Sequence, residues 1–61
     1  MDLKAKRKAA GMTRKQLADA ARVSMMTIYR YENAMRIPEV GAAKRIAAVL
    51  GFDWTKFYQD K

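Results

Sequence analysis

The chain predicts an all-α domain of five short helices, and three observations carry that prediction. No segment alternates apolar and polar residues with the two-residue period of a half-buried strand. Residues that favour helix starts recur at Thr13, Ser24 and Asp53, each ahead of a stretch with helical periodicity. Gly11 and Gly51 stand where two of the helices should stop. The first helix is expected over about 2–10, closed by Gly11. Thr13 opens the second, and Gln16 three residues on completes a capping box, in which side chain and backbone satisfy each other's free N–H groups. Met12 and Leu17 hold the two positions of a hydrophobic staple around that start. Ser24 is the N-cap of the third helix, and Val23 with Ile28 repeats the staple spacing. Pro38 suits the first turn of a fourth helix that runs to Leu50 and stops at Gly51. Asp53 caps a short fifth helix carrying Trp54, Phe57 and Tyr58.

Helical periodicity assigns the inward faces. Leu17, Ala18 and Ala21 line the second helix, Ile28 and Tyr31 the third, and Ala43, Ile46, Ala47 and Leu50 the fourth. Leu3, Phe52 and Phe57 close the ends. Two charges fall on these stripes: Arg7 between Leu3 and Ala10, and Glu32 beside Ile28. A buried charge is tolerated only when paired and hydrogen-bonded, so Arg7 and Glu32 are expected to form an ion pair tying the first helix to the third.

Composition narrows the function. Sixty-one residues make one domain, near the lower size limit for an unaided hydrophobic core. With no cysteine there is neither a disulfide framework nor a thiolate metal site, and with no histidine a zinc ion would have only carboxylates. No metal or cofactor is therefore expected. Paired carboxylates in a cleft and a glycine-rich phosphate loop are missing as well, which argues against an enzyme. The net charge of +7 favours a polyanionic partner. Residues 1–15 concentrate it, with Lys4, Lys6, Arg7, Lys8, Arg14 and Lys15 set against Asp2 alone. No run approaches the roughly 20 apolar residues of a membrane span, and charge spread over several core-forming helices argues against a membrane-surface helix. The expected location is the cytoplasm, on the nucleoid.

The outward face of the third helix singles out nucleic acid. At about 100° per residue, with Ile28 pointing inward, Met26, Tyr29, Arg30 and Asn33 project outward and Met25 sits on the shoulder. A merely solvated face would favour lysine and glutamate. In a DNA major groove, Arg30 can donate a bidentate pair to guanine, and Met25 and Met26 can pack against thymine methyls. Met25, Met26, Tyr29 and Arg30 are thus the candidate base-reading residues. Ser24 and the first N–H groups of its helix can meet a phosphate. Lys8, Arg14, Lys15 and Arg36 are candidates for positioning contacts to the backbone.

The residues that carry these readings resemble a known family. Arg7, Gly11, Met12-Thr13, Gln16-Leu17-Ala18, Val23-Ser24, Thr27-Ile28, Tyr31-Glu32-Asn33, Pro38, Ile46-Ala47, Leu50-Gly51 and Trp54 together resemble the Cro/Xre family of phage-repressor-type helix-turn-helix domains, over nearly the whole chain. The resemblance implies one compact, five-helix, lambda-repressor-like domain over 1–61, with its helix-turn-helix at about 13–33. It implies a third helix that reads double-stranded DNA as a homodimer. Base reading then falls on Met25, Met26 and Arg30, with Ser24 and Tyr29 beside them, and backbone contacts on Arg14, Asn33 and Arg36. Three departures stand out. Arg14 replaces a common glutamine, which should strengthen phosphate binding and steepen its salt dependence. Arg22 and Ala34 replace common glycines, so either the turns change shape or the domain tolerates left-handed strain, unless Asn33 takes the left-handed position in place of Ala34. The two methionines at base-reading positions are also unusual.

The expected output is repression at an inverted-repeat operator, with contact to RNA polymerase or a regulatory protein as the alternative output; the small form suits a phage or mobile element. Dimerisation has no separate domain to rest on, so Trp54, Phe57 and Tyr58 are the candidate interface. The competing function is a protein-interaction module of antitoxin or anti-repressor type, docking through Met25, Met26 and Tyr29.

Overall fold

A computed structural model of the chain describes residues 1–59. Four α-helices, α1 (Leu3–Ala9), α2 (Arg14–Ala21), α3 (Met25–Glu32) and α4 (Val40–Leu50), are followed by one 3₁₀ turn, Trp54–Tyr58. Among the described residues there is no strand. The fifth element is thus a single tight turn, started by the Asp53 carboxylate accepting from the Thr55 backbone N–H (3.0 Å) and hydroxyl (2.8 Å).

The helix starts follow their caps. At α2 the full capping box forms: Thr13 Oγ1 accepts from the Gln16 N–H at 3.1 Å, and Gln16 Oε1 accepts from the Thr13 N–H at 2.8 Å. At α3 the Ser24 hydroxyl accepts from the Thr27 N–H at 3.0 Å. Pro38 does not enter the first turn of α4 as its position suggested. Glu39 is the N-cap, itself extended, and Pro38 stands one residue before it, outside the helix.

The helix ends share one device. In each of the four helices a left-handed residue reverses the chain, and the N–H of the residue after it returns to a carbonyl of the last turn: Met12 to Arg7, Val23 to Ala18, Met35 to Arg30 and Phe52 to Ala47, at 2.9–3.2 Å. Gly11 (φ +71°) and Gly51 (φ +77°) take this conformation without a Cβ penalty, whereas Arg22 (φ +59°) and Ala34 (φ +55°) take it against one. Asn33 does not assume the left-handed role; its φ is −101°, and its side-chain amide instead donates to the Tyr29 carbonyl at 2.8 Å. The reversal falls on Ala34, and the N–H of Met35 after it closes the helix on the Arg30 carbonyl at 2.9 Å. Ala34→Gly and Arg22→Gly are each expected to stabilise the domain by up to about 1 kcal/mol. In a domain of this size that raises Tm by roughly 4–8 °C per kcal/mol, a shift differential scanning calorimetry reads directly.

Leu17, Ile28 and Ile46 form the fully buried centre, with Leu3 and the alanines of α2 and α4 around them. Tyr31, Leu50 and Phe57 are only partly buried against this core, and Phe52 is likewise half-buried. Ala42 is buried beside the expected Ala43, because alanines let α4 lie close to α2 over a broad face. Arg45 reinforces that contact by donating from Nε to the Ala21 carbonyl at 2.8 Å, a cation placed at the negative end of α2.

Candidate nucleic-acid interface

Helix α3 turns Ile28 wholly into the core, so its opposite side faces solvent. Met25 and Met26 are 51% and 52% exposed, and Tyr29 and Arg30 are exposed next to them. The Ser24 hydroxyl is held within its own cap, accepting from the Thr27 N–H and hydrogen-bonded to the Thr27 hydroxyl at 2.9 Å. That cap fixes the direction in which the first turn of α3 leaves the domain. Arg36, in the loop after α3, shares a small polar cleft with Arg30, Thr27 and Glu39, which brings two cations to one end of the exposed face.

The inward-facing charges meet beneath that face. Arg7 Nε lies 2.6 Å from Glu32 Oε2, with side-chain exposures of 8% and 1%. Arg7 Nη1 also donates to the Met12 carbonyl at 2.7 Å, so its fork spans α3 and the α1–α2 connection. A second arginine joins them: Arg14 Nε donates to Glu32 Oε1 at 3.0 Å, and its guanidinium lies 5.3 Å from the centroid of the Tyr29 ring. Burial pushes the Glu32 carboxyl up, but hydrogen bonds and charge from Arg7 and Arg14 outweigh it and hold the group below its ordinary value. No buried side-chain polar atom among the described residues lacks a partner.

The remaining candidates fall in different places. Lys15 is exposed and pairs with Asp19 one turn on, at 3.1 Å, a contact of little energetic weight. Lys8 is exposed in the last turn of α1. Asn33 is exposed at the end of α3, with its amide engaged in closing that helix.

The three aromatic residues of the last turn do not form one exposed surface. Phe57 packs inward between Tyr31 and Phe52, with ring centroids 6.4 and 5.5 Å away. Trp54 is half-buried, edge-on to Tyr58 at 6.0 Å and covered by the Lys44 ammonium at 5.0 Å. Tyr58 is exposed and donates its hydroxyl to the Pro38 carbonyl at 2.7 Å. The exposed apolar side chains near it are those of the α3–α4 connection and the start of α4: Met35, Ile37 (81% exposed) and Val40. Sequence reasoning missed Met35 and Ile37 because a loop has no period from which to read a face; Val40 lies at the exposed start of α4. The Arg14–Glu32 contact left no comparable signal, because one arginine can serve both oxygens of a carboxylate; here Arg7 serves one, since its Nη1 is spent on the Met12 carbonyl.

A short helix capped at Ser24, set on a second capped helix and presenting an apolar–cationic face from a basic chain, defines a helix-turn-helix DNA-binding domain. The helix-turn-helix family profile matches residues 3–57, and the chain belongs to this family, in its Cro/Xre-type branch of DNA-binding transcriptional regulators. It is 40% identical over 58 residues to the "Uncharacterized HTH-type transcriptional regulator YqaF" of Bacillus subtilis (strain 168), an alignment covering 95% of this chain and 76% of that protein. No solved structure matches significantly. Among the described residues, no helix is long and apolar enough to cross a membrane.

Proposed function

We propose that the protein is a repressor that binds an inverted-repeat operator as a homodimer, each α3 lying in a major groove and the two roughly 34 Å apart. The exposed α3 face carries this reading: methionines and an arginine project together from a helix capped at Ser24, in a chain with net charge +7. Arg30 reads guanine, while Met25 and Met26 contact apolar base edges. Arg14, Lys15, Lys8 and Arg36 engage phosphates and set the register, with the Ser24 start of α3 and Asn33 beside them. The output follows from occupancy: a dimer seated on a promoter excludes polymerase.

For the dimer, the support lies in the exposed side chains around Ile37 and Val40 rather than in Phe57, which faces the core. Arg36 and Glu39 flank Ile37 with opposite charges. A two-fold axis through such a patch buries the isoleucines of the two copies against each other.

The reading is tested by titrating ¹⁵N-labelled protein with a mixed-sequence 20-base-pair duplex. Amides of Ser24–Arg30 and Arg14–Lys15 are expected to shift. Shifts confined to the Ile37–Tyr58 side, or none at low salt, overturn it. In the second case the Met25–Met26–Tyr29 face becomes a protein-docking surface, whose occupancy does not depend steeply on salt.

A further inference from the structure

Arg14 is not a free surface cation. It is the first residue of α2, its Nε is bonded to Glu32 at 3.0 Å, and its guanidinium lies over the Tyr29 ring at 5.3 Å, with both partners on α3. Glu32 is itself immobilised from the core side, because Arg7 holds its other oxygen at 2.6 Å. The three charges sum to +1, with Arg7 and Glu32 cancelling below the surface and the Arg14 charge left outside. Its side chain is still 37% exposed. Among the described residues no other acceptor takes its Nη hydrogens, so the end of the fork is available to a ligand.

From this geometry we propose that Glu32 and Tyr29 are positioning residues that pre-orient Arg14 as a phosphate clamp, and that Tyr29 acts on DNA through Arg14 rather than by reading a base. The proposal rests on the DNA-binding reading above. A long, unrestrained arginine gives up much rotamer freedom when it grips a phosphate; here that loss is incurred on folding, before DNA arrives. With Nε engaged by Glu32, the two Nη groups remain for a phosphate oxygen pair, the geometry in which arginine binds phosphate best. The same contacts tie the α2 anchor to α3, so the phosphate grip sets how α3 sits in the groove. Tyr29 then contributes to affinity for every sequence alike, which separates it from Arg30.

The test is a double-mutant cycle on a fluorescein-labelled random-sequence 30-base-pair duplex, read by anisotropy over a series of salt concentrations. Arg14→Gln is expected to weaken binding and to reduce the slope of log Kd against log salt by about one unit. Tyr29→Ala should weaken binding roughly two- to fivefold, the size of an exposed cation–π contact. In the Arg14→Gln background Tyr29→Ala should have no further effect. Tyr29→Phe, which keeps the ring, should retain the coupling. Circular dichroism of each variant checks that the helices are intact, as expected for two residues outside the core. If Tyr29→Ala costs the same with and without Arg14, or costs nothing, the proposal is wrong while the DNA-binding reading stands. If the wild-type protein shows no salt-dependent binding at all, both fail.

Discussion

Glu32→Ala is expected to destabilise the domain by about 3–5 kcal/mol, the size of effect seen when one partner of a buried ion pair is removed. The reason is specific to this site. Glu32 is nearly inaccessible and is the shared partner of two arginines, one of them also buried. Without it, Arg7 keeps only the Met12 carbonyl as a partner for a full charge held in the core. For a 61-residue chain, whose stability should lie toward the low end of the usual range of about 5–15 kcal/mol, that loss leaves only about 0–2 kcal/mol, an unfolded fraction between roughly 3% and a half at room temperature. Urea denaturation followed by circular dichroism measures it. The same group makes the protein sensitive to acid. Its carboxyl is held below the ordinary 4.5 in the folded state, so its contribution is present in full above that value. As pH falls below 4.5 the unfolded chain takes up the proton first, and stability drops until the native carboxyl is protonated too. Asp53, whose carboxylate is held down by the backbone N–H and then the hydroxyl of Thr55, titrates in the same sense. Glu32→Gln, which retains the shape, should therefore show a flatter stability profile between pH 5 and 3 than the wild type, keeping only the part owed to the other carboxyls.

The second large effect falls on recognition. Arg30→Ala should cost about 1–3 kcal/mol at one base position of each half-site, which is roughly 5- to 150-fold in discrimination there, with little change elsewhere. Arg30 is exposed on α3 and its backbone carbonyl accepts the bond that closes the helix, so truncating its side chain leaves the fold intact. Competition between duplexes altered one position at a time reads the effect. Truncation of Lys15 contrasts with it: a phosphate contact weakens all sequences about equally and lowers the salt slope. The two profiles separate reading from positioning on a single protein.

What could be read from the residues, and what could not, divides along physical lines. The caps at Thr13, Ser24 and Asp53 are local chemistry, complete within three or four residues, and the helices start where those residues stand. Helical period placed Leu17, Ile28 and Ile46 inside, and it placed Arg7 and Glu32 inside with them, where a buried charge requires a partner. Arg14 was legible as a cation at the start of α2, but its bond to Glu32 and its place over Tyr29 depend on how α2 crosses α3, which periodicity within one helix does not encode. The left-handed residue after α3 is Ala34 rather than Asn33, whose side-chain amide is instead bonded to the Tyr29 carbonyl, a detail of the helix end that residue preference alone does not encode. The exposed Ile37 escaped notice because it sits in the irregular connection before α4, where no helical face could be drawn, and Val40 because it is the first residue of α4, on the side away from the core.

The most direct measurement is selection of bound duplexes from a random DNA pool by the wild-type protein, sequenced over successive rounds at two salt concentrations. The account predicts enrichment of an inverted repeat whose half-sites lie about one helical turn apart, and the repeat should persist at the higher salt. Retention of unenriched DNA that vanishes as salt rises would contradict it, reducing α3 from a reader of sequence to one side of a basic surface.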